Sequence, residues 1–209
     1  MLGYYSITTN RLIPIVPETQ LFMQEEIKKA LDILYNGGVI LYPTDTVWGL
    51  GCDATNEKAV KRIHEIKKSA DAKAMLVLVD NPGKLQSYVD EVPDIAWDLI
   101  EMSEKPLTII YPAAKNLASN LIAADKSIGI RVTKEAFSRN LCMRFKRPIV
   151  STSANFCGAP TPANFSQIPE EIKSAVDYVV NFRQDERSQP KTSSIIKLGK
   201  GNLFQIIRE

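Results

Sequence analysis

Histidine is almost absent from this chain: one, His64, stands among 209 residues. Ser-His catalysis and metal capture by several imidazoles therefore lack their parts. Cysteine is scarce too. Cys52, Cys142 and Cys157 are odd in number and widely spaced, which argues against both a disulfide framework and a CxxC metal or redox site. They read as reduced, partly buried thiols. Long apolar runs are missing as well, since stretches such as residues 75–79 and 109–111 fall far short of the roughly 20 residues that cross a bilayer. The start, MLGYYSITTNRL, has no basic region followed by an apolar run and a small-residue cleavage site. A cytoplasmic protein without membrane contact is the expectation. Nor is there an excess of one charge: 26 Lys and Arg against 24 Asp and Glu leave +2, too little to announce a nucleic-acid protein. No fixed-period repeat and no Walker-type Gly-rich loop is present.

What remains is an ordinary globular composition, 44% hydrophobic and 24% charged, of a length that suits one domain over residues 1–209. Helical spacing of Ile27, Ala30, Leu31 and Leu34 predicts a helix over residues 19–36, stopped by Asn36-Gly37-Gly38. A short buried strand over 39–42 follows. Asn56 then caps a second helix with Val60, Ile63 and Ile66 on one side, and 74–79 is a continuous apolar strand. Further strands are predicted at 107–111, 128–132, 148–151, 178–180, 193–198 and 203–207, with helices at 94–102, 134–145 and 169–175. The last two strands flank GKGN, a hairpin signal. The fold class is thus α/β, a single-domain mixed parallel and antiparallel sheet with flanking helices. His64 reads as a satisfied residue inside the second helix, the basic clusters at 58–73 and 139–147 as solvated helix faces, and RQDERSQPK at 183–191 as a mobile loop.

The chemistry-bearing pattern is a set of polar turns at strand ends. In LYPTDTVWGLGCD, Pro43, Thr44, Asp45 and Thr46 follow an apolar run although Thr and Asp beside proline form neither good strand nor good helix. STSAN follows Val150, and KTSS precedes Ile195. A plain strand-ending turn and a ligand-placing turn both satisfy such residues. Hydroxyls, amides and exposed backbone N–H groups at strand ends suit phosphate and carboxylate oxygens. Lys67, Arg131 and Arg208 are at hand to neutralise them. From the residues alone the reading is an anionic ligand.

LYPTDTVWGLGCDATNEKAVKRIHEIKK, then KPLTIIYP, GIRVT, PIVSTSANFCGAPTP and SSIIKL…FQIIRE, in this order over nearly the whole chain, resemble the YrdC-like threonylcarbamoyl-AMP synthase family. The resemblance implies a reaction joining L-threonine, bicarbonate or carbon dioxide and ATP, as its Mg²⁺ complex, into threonylcarbamoyl-adenylate and pyrophosphate. The product serves N6-threonylcarbamoyladenosine formation at position 37 of transfer RNA, with separate proteins making the transfer. It implies Thr44 and Thr46 near the amino acid and Asp45 as structural. It sets Lys67 against carboxylate, carbamate or phosphate charge, and Ser151, Ser153 and Asn155 on the nucleotide or acyl-phosphate end. Thr108 and Arg131 would share the same concave face, and Ser193 and Arg208 would close the nucleotide side. No tightly bound cofactor or protein metal site is implied. One departure stands out: Lys67-Lys68-Ser69 replaces the family's Lys-x-Arg, so an expected guanidinium is missing, with Arg62, Lys68 and Lys73 as nearby substitutes. Two other readings stay open, an RNA-binding module using a concave basic face for double-stranded or transfer RNA, and a carbamoyl-phosphate-handling domain of hydrogenase maturation.

Overall fold

The computed structural model describes residues 5–8, 11–14, 17–68, 75–187, 192–199 and 203–209. Strands β1 (Tyr5–Thr8) and β2 (Arg11–Pro14) form a separate antiparallel hairpin. There follow α1 (Glu18–Tyr35), β3 (Ile40–Tyr42), β4 (Gly49–Gly51), α2 (Glu57–Lys67), β5 (Leu76–Val79), α3 (Asp94–Met102), β6 (Leu107–Tyr111), β7 (Ile128–Val132), α4 (Ala136–Phe145), β8 (Ile149–Ser153), α5 (Glu170–Ala175), β9 (Tyr178–Val179), β10 (Ser194–Leu198) and β11 (Phe204–Arg208). Among the described residues, nine strands make one mixed sheet in the order β11-β10-β6-β7-β5-β8-β4-β3-β9. The pairs β6–β10, β5–β7 and β3–β9 are parallel and the others antiparallel.

Side chains alternate across this sheet and feed two cores. Val39, Leu41, Val77, Val79 and Val150 pack with Val60 and Ile63 of α2. Ile40, Tyr42, Leu78 and Ile149 pack on the other face with Ile27, Leu31 and Leu34 of α1 and Phe137, Leu141 and Phe145 of α4. Each such buried side chain contributes about 1.5–3 kcal/mol. On β6 and β7, Ile109, Tyr111, Ile128 and Ile130 enter the first core, while Thr108, Ile110, Gly129 and Arg131 line a cavity on the opposite face. That alternation is what places polar groups in a concavity.

Several expectations need correction. β4 was read as part of a turn, yet Gly49–Gly51 pairs with both β3 and β8. Glycine is required there by close approach: a Cβ on Gly51 would stand 2.6 Å from Tyr42 Cε1 and 3.0 Å from Val150 O. β8 runs through Ser153, two residues past the expected end at 151, so Thr152 and Ser153 belong to the strand rather than to a turn. Helix α4 starts at Ala136, two residues later than expected, because the Glu135 carboxylate accepts hydrogen bonds from Phe137 N and Ser138 N. His64 lies on α2 but is not satisfied, since its buried Nδ1 has no hydrogen-bond partner among the described residues. Cys52 and Cys142 are buried, whereas Cys157 is exposed. The loop expected to be mobile is anchored over its described part, where Arg183 is tied to Glu135, Glu186 and Thr44. β10 and β11 pair as the hairpin signal implied; residues 200–202 lie outside the described residues.

Candidate active site

Where β3 ends, Pro43 releases the chain into a tight polar loop. The Thr44 hydroxyl donates to Val47 O at 2.7 Å and accepts from Thr46 N at 3.1 Å. A hydroxyl has one proton. With that of Thr44 committed to Val47, the 3.2 Å contact between the two hydroxyls is made by Thr46 Oγ1 donating to Thr44 Oγ1. Thr46 Oγ1 in turn accepts from Arg131 Nη1 at 3.3 Å. Arg131 reaches it from β7, and its Nη2 stands 3.2 Å from Asp45 Oδ1. Arg131 is 2% exposed, and its Nε has no hydrogen-bond partner among the described residues. Burial pulls the Arg131 pKa down, Asp45 pushes it back up, and the charge of Arg208 adds to the lowering. Burial also raises the Asp45 carboxyl, against the pull of Arg131. Two guanidiniums that repel each other across one concavity favour an anion between them.

The cavity holds about 770 Å³, within the roughly 300–1,000 Å³ of small-molecule sites. Thr46, Thr108, Arg131, Ser151, Ser153, Ser193 and Arg208 all line it. Its far wall is a second network. Thr108 Oγ1 and Ser193 Oγ lie 2.9 Å apart across the parallel β6–β10 pair, and Arg208 Nε donates to Ser193 O at 2.9 Å.

Three expected residues do not face this cavity. Thr44 sits behind Thr46, against a small hollow shared with Trp48, Asn164 and Arg183. Asn155 is turned inward: its Oδ1 accepts from Ser153 Oγ at 2.5 Å, and its Nδ2 donates to Ala159 O at 2.6 Å. Lys67, 3% exposed, drives its ammonium into the same turn, donating to Ser153 O at 2.5 Å, Asn155 O at 2.8 Å and Asn155 Oδ1 at 3.5 Å. Burial brings its pKa down to about 8. At neutral pH it remains charged, as donation to three oxygens requires. Lys67 is thus the centre of the S-A-N turn rather than an open anion-binding group. Ser69 and Lys73 lie outside the described residues.

Other lining residues were missed. Lys197 follows Ser193 and Ile195 at the two-residue spacing of one strand face, a usable signal. Thr192 adjoins Ser193 in KTSS, and Thr161 follows the S-A-N turn. Asp125, the cavity's carboxylate, carried no signal. It accepts from Lys197 at 2.8 Å and from Ser127, and these bonds hold its pKa far below the usual range.

A family model described as "Telomere recombination", for Sua5, YciO and YrdC proteins, matches residues 32–209. A protein of Pseudoalteromonas translucida named threonylcarbamoyl-AMP synthase is 36% identical over 180 residues, covering 85% of this chain and 96% of its own. The crystal structure of Escherichia coli YciO superposes with a TM-score of 0.76 at 26% identity, over 94% of this chain and 92% of that one. Pyrococcus abyssi Sua5 complexed with L-threonine gives a TM-score of 0.73 at 24% identity over 82% of this chain, which spans 50% of that longer protein and shares its fold. A mixed sheet whose cavity is walled by the PTDT loop, the β7 arginine and the strand preceding S-A-N, together with these matches, establishes that the chain belongs to the Sua5/YciO/YrdC family.

Proposed function

We propose that this protein is a threonylcarbamoyl-AMP synthase, a one-domain nucleotidyltransferase of the cytoplasm. The observation that carries the reading is the 36% identity to a threonylcarbamoyl-AMP synthase across 96% of that relative's length. The site's chemistry agrees with it. The uncharged amine of L-threonine attacks carbon dioxide, forming the N–C bond and releasing a proton to give the carbamate. A carbamate oxygen then attacks the α-phosphorus of ATP, and the bond to the β-phosphate oxygen breaks to release pyrophosphate. Neither step needs a protein nucleophile; positioning and charge neutralisation supply the rate. Arg131 would hold the carboxylate or carbamate, with Thr46 turning its proton from Thr44 to the ligand. Thr108, Ser193 and Arg208 would hold the nucleotide, and Ser151 and Ser153 the reacting end between them. Lys67 and Asn155 would act by shaping the turn that carries Ser153. Mg²⁺ would ride on the triphosphate, and among the described residues no cluster of three or more His, Cys, Asp or Glu is placed to cage it. Separate proteins would pass the threonylcarbamoyl group to transfer RNA.

Pyrophosphate release should depend on threonine, bicarbonate and ATP together. Valine, lacking the hydroxyl, should be rejected more strongly than serine, because unpaired buried polar groups cost more than a missing methyl. Release without threonine, or valine used as well as threonine, would contradict the assignment. RNA binding that weakens steeply with salt and ignores ATP and threonine would favour the RNA-module reading instead.

A further inference from the structure

We infer that Arg183 is a positioning residue that sets the Thr46–Arg131 geometry from outside the cavity, an inference that rests on the synthase reading above. The two groups belong to separate jaws: Thr46 to the loop leaving β3, and Arg131 to β7, whose chain continues through Thr133 into Glu135 and α4. On the cavity side the jaws meet through Arg131, by its contacts to Thr46 and Asp45, and beside it Asp45 is hydrogen-bonded to Thr133. An anionic substrate competes with Asp45 for that same guanidinium. The Arg131 tie would thus be loosened by the ligand the jaws have to bind.

Arg183 supplies a second tie on the outer side. Its Nε and Nη2 fork onto the Glu186 carboxylate, both at 2.7 Å, which fixes the guanidinium plane. Nη1 then points between the jaws, donating to Thr44 O at 3.3 Å and standing 3.2 Å from Glu135 Oε1. Glu135 is itself locked by capping α4. One planar group thus bridges the threonine loop and the β7–α4 junction, and no substrate competes for it. The backbone of Arg183 sits at φ +63°, a left-handed conformation that a side chain makes uncommon. Such strain persists where surrounding contacts over-determine it, as two carboxylates and a carbonyl do here.

The test is steady-state pyrophosphate release by wild type, Arg183→Ala, Arg183→Lys and Glu186→Gln, with thermal melting of each. Arg183→Ala should raise the KM for threonine about tenfold, since small misplacements of binding groups cost that much or more, while the KM for ATP stays near the wild-type value. Lysine, a single point donor, should recover little, and Glu186→Gln should fall between. Added guanidinium ion, well below denaturing concentration, should lower the threonine KM of Arg183→Ala and leave wild type unchanged. A lowered melting temperature with unchanged KM for threonine, or the absence of guanidinium rescue, overturns the inference. An inactive wild type overturns the synthase reading instead.

Discussion

Lys67 shows why a single residue's role resists reading from sequence. Its position at the end of an amphipathic helix was legible, but its acceptors, Ser153 O and Asn155 O, lie more than eighty residues further along. Only the fold decides whether that ammonium meets solvent, ligand or backbone. Thr46 and Arg131 were easier, because a strand-end turn and a basic residue within an apolar strand are local features. Removing the ammonium in Lys67→Met takes a donor from three buried oxygens; Ser153 O keeps Asn155 N and Asn155 Oδ1 keeps Ser153 Oγ, so the loss falls mainly on Asn155 O. Pyrophosphate release is expected to fall by about 10- to 100-fold while the chain still folds, as circular dichroism would register. Turnover equal to wild type would make the turn irrelevant to the site. A pH effect accompanies this. With the folded pKa near 8 against an ordinary 10.5, the unfolded chain binds more protons between these values, so this group favours folding as pH rises through that window. Activity lost just above pH 8 therefore reports a weakened turn and not an unfolding protein. The comparison to make is rate against stability over pH 7 to 10.

Elements with one clear period were read to the residue: α3, β6 and β7 have the expected bounds because each carries an unbroken apolar pattern. β4 was invisible because Gly-Leu-Gly has neither alternation nor strand propensity. Gly51 answers to neighbours, Tyr42 on one strand and Val150 on another, that sequence cannot bring together. Gly51→Ala should therefore destabilise the protein by about 1–3 kcal/mol through overpacking, read as a lower denaturation midpoint in urea. A Gly158→Ala control meets no atom within 4 Å and differs only by a positive φ of +78°. It should cost about 1–2 kcal/mol, for the left-handed backbone alone. Equal effects at the two positions would mean that the approach of Tyr42 to β4 is not what excludes a side chain.

Across the whole molecule, buried polar ties join elements far apart in the chain. Glu26 of α1, fully buried, accepts from Tyr178 of β9 at 2.5 Å, from Asn181 N at 2.7 Å and from Lys29 at 2.8 Å. Burial pushes its pKa up, but the hydrogen bonds from Lys29, Tyr178 and Asn181 together hold it below the usual 4.5. The folded state therefore favours the carboxylate. That stability is complete above about pH 4.5 and is lost as pH falls through the lowered value. Glu26→Gln should cost about 1–3 kcal/mol at pH 7 and flatten the acid limb of the stability profile. An unchanged acid limb would show that α1 is docked by its apolar face alone. The spread of the cavity wall has a consequence of its own. Thr46, Thr108, Arg131, Ser151, Ser193 and Arg208 come from six separate stretches of chain, so no fragment or partly folded form contains a usable site. Ligand binding is then linked to the global folding equilibrium and to no local one. Saturating threonine and ATP should slow amide exchange in every strand of the large sheet by a common factor, set by ligand concentration over dissociation constant, wherever exchange proceeds through complete unfolding.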